Sequence, residues 1–208
     1  MFHNKPIIGI AGGIGSGKSF VAGLFRELGG LVISSDEQVS DVYRSPIVRQ
    51  ALRQWWGDQA LNQDGEPNRS FVASKIFNDP AQRKRLEDLI HPLVNEARLR
   101  AMEQAAEDPA VVAYIWDTPL LFETGLNSQT DAVVFVDAPL EIRQKRLEKS
   151  RNWQPEELTR RENSQWPLDK KREIADYVIR NTADAELTRV QVKDVLSRIL
   201  SKVTPQQS

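Results

Sequence analysis

Gly12, Gly17, Lys18 and Ser19 make the pattern Gly-x4-Gly-Lys-Ser within the stretch GIAGGIGSGKSF, residues 9–20. Residues of these types at this spacing hold a polyphosphate. Backbone N–H groups can turn inward around a phosphate only where side chains do not block the approach. The lysine then reaches the outer phosphates, and the hydroxyl ligates Mg²⁺. The expected cradle is Gly13, Ile14, Gly15, Ser16, Gly17, Lys18 and Ser19. Phe20 follows where kinase-type loops often carry a second hydroxyl, so only its backbone N–H is on offer. A dinucleotide-binding turn also has close-set glycines, but it has no role for the Lys-Ser pair.

Further candidates lie at the ends of apolar runs. Asp36, in VISSDEQV, stands just past the second such run, where a carboxylate can accept a proton from an acceptor hydroxyl or cap the next helix. Asp117, closing AVVAYIWD, is placed to order Mg²⁺ through water, as strand-end aspartates do in phosphate-loop enzymes. His91 precedes Pro92, a setting more typical of a structural residue at a helix end. Ten of the 28 lysines and arginines fall in 141–173 beside seven acids, so many of these charges belong to a solvated helix face.

These residues need elements to position them. PIIGIA (6–11), LVIS (31–34), AVVAYIWD (110–117), AVVFVD (132–137) and DYVIRN (176–181) read as buried parallel strands. After the glycine loop, Val21, Leu24, Phe25 and Leu28 recur at helical spacing up to Gly29-Gly30, which completes a βαβ unit. From Glu37 to about Asp108 the strand signal fades and three helical stretches follow. The last helix, about 184–202, is expected to pack Leu187, Val190, Val195 and Ile199 ahead of the polar tail TPQQS.

Composition narrows the classes. The chain has 208 residues, no cysteine and a formal net charge of −1. Thiol chemistry is excluded, a large nucleic-acid footprint is not expected, and no run is long enough to cross a membrane. A cytoplasmic location is the expectation. A GTP-hydrolysing switch would want an Asn-Lys-x-Asp motif, and the corresponding strand end reads FVDAP. Another small-metabolite or nucleoside kinase is the alternative closest in chemistry.

The order and spacing of GGIGSGKS, ISSD, LIHPLV, DTPLLFETGL, FVDAP and QWPLDKKREIADYVIRN resemble the dephospho-CoA kinase family over roughly residues 6–200. The resemblance implies an α/β fold: a P-loop NTPase-like parallel sheet core with a helical acceptor-binding insert and a helical lid. The core would comprise 1–36, 109–139 and 174–208, the acceptor domain 37–108 and the lid 140–173. It implies ATP as co-substrate with Mg²⁺, and phosphorylation of the ribose 3′-hydroxyl of dephospho-CoA. Asp36 matches the proton-accepting aspartate, and Arg151 and Arg161 match lid arginines. His91, with Pro119, Leu120, Leu121 and Phe122 of the PLLFE stretch, matches the acceptor side. Asn181 matches an adenine-side asparagine. The chain departs from the family at Ser34, where an aspartate is usual, and in RLEKSRNW, one residue longer than usual.

Overall fold

The apolar runs become five strands and the periodic stretches become helices. A computed structural model describes residues 1–182 and 184–203; the tail TPQQS (204–208) lies outside them. In order, the elements are β1 (Ile7–Gly12), α1 (Lys18–Glu27), β2 (Gly30–Ser34), α2 (Ser35–Tyr43), α3 (Pro46–Trp56), α4 (Arg69–Phe77), α5 (Pro80–Gln104), β3 (Ala113–Asp117), β4 (Ala132–Asp137), α6 (Leu140–Arg151), α7 (Pro155–Glu162), α8 (Leu168–Ile174), β5 (Tyr177–Arg180) and α9 (Ala185–Val203). The strands form one sheet in the order β2-β3-β1-β4-β5, with every pairing parallel. Two compact units result: Ser35–Glu103 is one, and Met1–Ser34 with the chain from Gln104 onward is the other.

In the sheet unit, side chains alternate between two buried faces, as a parallel sheet covered on both sides requires. Ile8, Ile10, Val134 and Val136 pack with Val21, Leu24 and Phe25 of α1 and Val192, Val195 and Ile199 of α9. Ala11, Val133 and Phe135 face the other way, toward Leu121, Phe122 and Leu168. In α9, Val195 and Ile199 are buried as expected, but Leu187 and Val190 are exposed. The buried stripe is Thr188, Val192, Val195, Leu196 and Ile199. Positions 187 and 190 lie off that stripe at 3.6 residues per turn.

The helical unit has its own core of Val42, Val48, Leu52, Ala60, Val72, Leu86, Ile90 and Val94. Ser45 caps α3, accepting from the Val48 N–H, and Asn68 caps α4, accepting from Phe71 N–H. The proline after His91 ends no helix, because α5 runs through it. Pro92 cannot donate to the Asp88 carbonyl, and Leu86, Ile90 and Val94, buried on one side, hold the helix together across the gap. No described helix is long and apolar enough to cross a membrane.

Candidate active site

The parallel sheet sends each strand's C-terminal end to the same edge, where such sheets bind ligands. The glycine loop leaves β1 there, Asp117 ends β3, Asp137 ends β4 and Asn181 follows β5. The loop glycines answer to real crowding. Gly12 has φ +149°, and a Cβ on it would come 2.5 Å from the Val136 carbonyl oxygen. Gly17 caps α1 in the left-handed region at φ 91°, with no side chain bonding the first turn. The N–H groups that open α1 have no side-chain cap, and with the helix dipole behind them they suit an anion. Lys18 Nζ folds back to the carbonyls of Gly12 and Gly13, 3.1 Å from each, which sets its ammonium at the loop mouth.

Ser19 Oγ donates to Asp117 Oδ2 at 2.7 Å. The two residues that sequence reading assigned to a metal, 98 positions apart, are therefore neighbours. Among the described residues no group of three or more His, Cys, Asp or Glu could hold a metal ion alone. A hydroxyl and one carboxylate suit Mg²⁺, a hard cation that keeps several waters and takes its other oxygens from phosphates.

Three side chains brace the loop from behind. Asn181 is 3% exposed, and its Nδ2 donates to the Ser16 carbonyl at 2.7 Å. Arg146 Nη1 donates to the same carbonyl at 3.0 Å, and its Nη2 reaches Asn181 Oδ1. Arg143 donates to the Ile14 carbonyl and pairs with Glu162. Asn181, expected on the adenine side, holds the loop through its bond to the Ser16 carbonyl. Arg143 and Arg146 were hidden among ten basic residues; the only signal for them is their three-residue spacing on one helix face.

The two lid candidates meet over one ring. The Arg151 guanidinium lies 5.0 Å and that of Arg161 4.4 Å from the Trp153 ring centroid. Arg161 Nε also bonds Glu157 at 2.6 Å, and Arg160 shares that carboxylate. Hydrogen bonds from Arg160 and Arg161 pull the Glu157 carboxyl down to about 2.

In the helical unit, Asp36 is exposed in the first turn of α2, with Ser35 ahead of it as the first helical residue. It is therefore not an N-cap. His91 is exposed in mid-α5. Arg98, seven residues on, is 3% exposed and donates to Ser35 Oγ at 3.4 Å, at the start of the helix that carries Asp36. Its period from His91 was the one available clue.

A family model described as dephospho-CoA kinase matches residues 6–186. The chain belongs to the dephospho-CoA kinase family. It is 38% identical over 196 residues to the dephospho-CoA kinase of Syntrophotalea carbinolica, covering 93% of this chain and 92% of that one. A crystal structure of a Thermus thermophilus protein superimposes with a TM-score of 0.76 at 32% identity, covering 96% of this chain and 99% of the other. The dephospho-CoA kinase from Campylobacter jejuni shares the fold, with a TM-score of 0.64 at 21% identity over 94% of this chain and 98% of its own.

Two stretches that carry the dephospho-CoA kinase resemblance bind each other. Glu123, ending PLLFE, forms an ion pair with Lys171 at 2.6 Å, and its Oε1 also accepts from the Trp166 N–H. Burial pushes the Glu123 carboxyl up, but Lys171 and that N–H together outweigh it and leave it below its usual value. Phe122 stacks on Trp166 at 5.9 Å. Leu121 and Phe122, expected on the acceptor side, are 1% and 4% exposed, so their side chains belong to the core. Leu120 is exposed and Pro119 half-buried, so of the four only these two offer side-chain surface.

Proposed function

We propose that the chain transfers the γ-phosphoryl group of ATP to the ribose 3′-hydroxyl of dephospho-CoA, giving coenzyme A. The single observation that carries this is the bonded Ser19–Asp117 pair beside an uncapped helix N-terminus, in a chain of this family. Phosphoryl transfer asks little covalent work of a protein; it asks for position and for charge. The α1 N–H groups and Lys18 bind the phosphates. Asp36 accepts the proton of the acceptor hydroxyl, as the family resemblance implies. Mg²⁺, when bound, would supply positive charge against the transferring phosphates. Ser19 would hold it directly and Asp117 through water. Asn181 serves the nucleotide through the loop it braces.

The helical unit is assigned the acceptor, with His91 among its contacts, and Pro119 and Leu120 are assigned the same substrate. The lid role falls to 140–173, with Arg161 and Arg151 as its phosphate contacts. The test is ADP release with ATP and dephospho-CoA, adenosine, shikimate or no acceptor. Dephospho-CoA should be strongly preferred; equal rates with shikimate would point to another small-metabolite kinase.

A further inference from the structure

The helical unit contains a cleft of about 480 Å³ lined by Tyr43, Arg44, Glu66, Pro67 and Arg69. None of these residues stood out in the sequence. We infer that this cleft grips the 5′-diphosphate of the acceptor nucleotide, with Arg44 and Arg69 on the phosphates and the Tyr43 ring as an apolar wall. The inference rests on the proposed acceptor and names where its charged middle is held.

Charge supports it. Arg44 is exposed and makes no ion pair among the described residues. Arg69 donates to Ser40 Oγ at 3.2 Å and lies 5.8 Å from the Tyr43 ring centroid, so it is aimed but not neutralised by an acid. The acid in the cleft is Glu66, and Arg49 already offsets it at 3.2 Å. Two guanidinium forks therefore face the cleft with no carboxylate left over, the arrangement that suits a phosphate pair. Glu66 Oε2 is buried and has no hydrogen-bond partner among the described residues. Such an atom is costly unless a donor meets it. A ligand that brings N–H or O–H groups beside its phosphates supplies one; a bare inorganic anion does not.

Spacing along α2 supports it as well. Asp36, Ser40 and Tyr43 stand at i, i+4 and i+7, on one helix face. Tyr43 lies about 10 Å along the axis from Asp36 at ~1.5 Å per residue. That is the scale separating a ribose 3′-oxygen from the far end of its own 5′-diphosphate. The same face carries the proposed proton acceptor at one end and the phosphate grip at the other.

The experiment is steady-state kinetics on the full chain with Arg44→Ala and Arg69→Ala, varying dephospho-CoA and ATP separately. Each variant should raise KM for dephospho-CoA by about tenfold or more, the loss of a charge-assisted hydrogen bond. KM for ATP should stay within about twofold. Thermal melting accompanies both. Arg69 also holds Ser40, so Arg44→Ala, which breaks no ion pair, decides if Arg69→Ala melts early. An unchanged acceptor KM in Arg44→Ala, or an equal rise for ATP, overturns the assignment. Failure of the wild-type chain to use dephospho-CoA would instead overturn the function beneath it.

Discussion

Lys18 and Asp36 are the residues to which the proposed function assigns the chemistry most directly, and they differ in what else they hold. Lys18 Nζ donates to the loop carbonyls of Gly12 and Gly13 at the sheet edge, away from both apolar cores. Lys18→Ala should therefore abolish turnover while the thermal transition stays in place; loss of both together would mark it as structural. Ser19→Ala should shift the Mg²⁺ titration of activity, and an unshifted titration would remove Ser19 from the metal. Asp36 lies in the first turn of α2, where a negative charge favours the helix dipole. If that were its whole role, Asp36→Asn would cost about 0.3–1 kcal/mol and spare the rate. As the proton acceptor, it should lose at least about a hundredfold in kcat, with ATP binding intact.

At the scale of elements, the segment assigned as a lid is tied down at both ends. α6 reaches the loop through Arg143 and Arg146, and α8 is held by the Lys171–Glu123 pair. Movement on ATP binding should concentrate in 152–161, most of α7, because Glu162 is itself paired with Arg143 of α6. Hydrogen exchange should show new protection there and little change in α6 or α8; uniform protection across 140–173 would contradict this. Glu157 stays charged down to a pH of about 2, so acid in any assay range will not release Arg161 from it. Glu157→Gln should release it, lowering KM for ATP if Arg161 goes on to bind phosphate, while Arg161→Ala should raise it. The Glu123 carboxyl is lowered in the folded chain, so its stabilisation is present above its ordinary value of 4.5 and is lost as pH falls through the folded value. Glu123→Gln leaves Lys171 buried beside a neutral group, which costs about 3–5 kcal/mol. Its stability should also fall less steeply than the wild type below pH 4.5, as followed by thermal melts.

At the scale of the molecule, the two units have separate cores, to which the proposed function gives separate tasks. Leu52 is fully buried in the helical unit's cluster, and Phe25 is fully buried in the sheet unit's. Leu52→Ala should cost about 2–5 kcal/mol, and Phe25→Ala about 3–5 kcal/mol. Near the melting point of each variant the losses should differ in kind. Leu52→Ala should lose acceptor turnover while a fluorescent ATP analogue still binds, and Phe25→Ala, which undercuts α1 and the loop, should lose nucleotide binding as well. Identical losses in both variants would mean that the units do not fail separately.

Much of the site was legible because it is local. The loop glycines, Lys18 and Ser19 are consecutive, and their chemistry follows from residue type and spacing alone. The strands were legible because a sheet buried on both faces needs unbroken apolar runs, and AVVFVD became β4 without a residue's change. What sequence could not decide was which side of an element each residue takes, and what far-apart residues do together. Leu121 and Phe122 read as binding residues, yet the sheet draws them inward; Leu187 and Val190 read as core, yet the phase of α9 turns them out. Glu123 and Lys171, Ser16 and Asn181, and Ser40 and Arg69 meet only after the chain has crossed its own fold. Partnership at such separations is set by packing, and only tertiary structure carries that information.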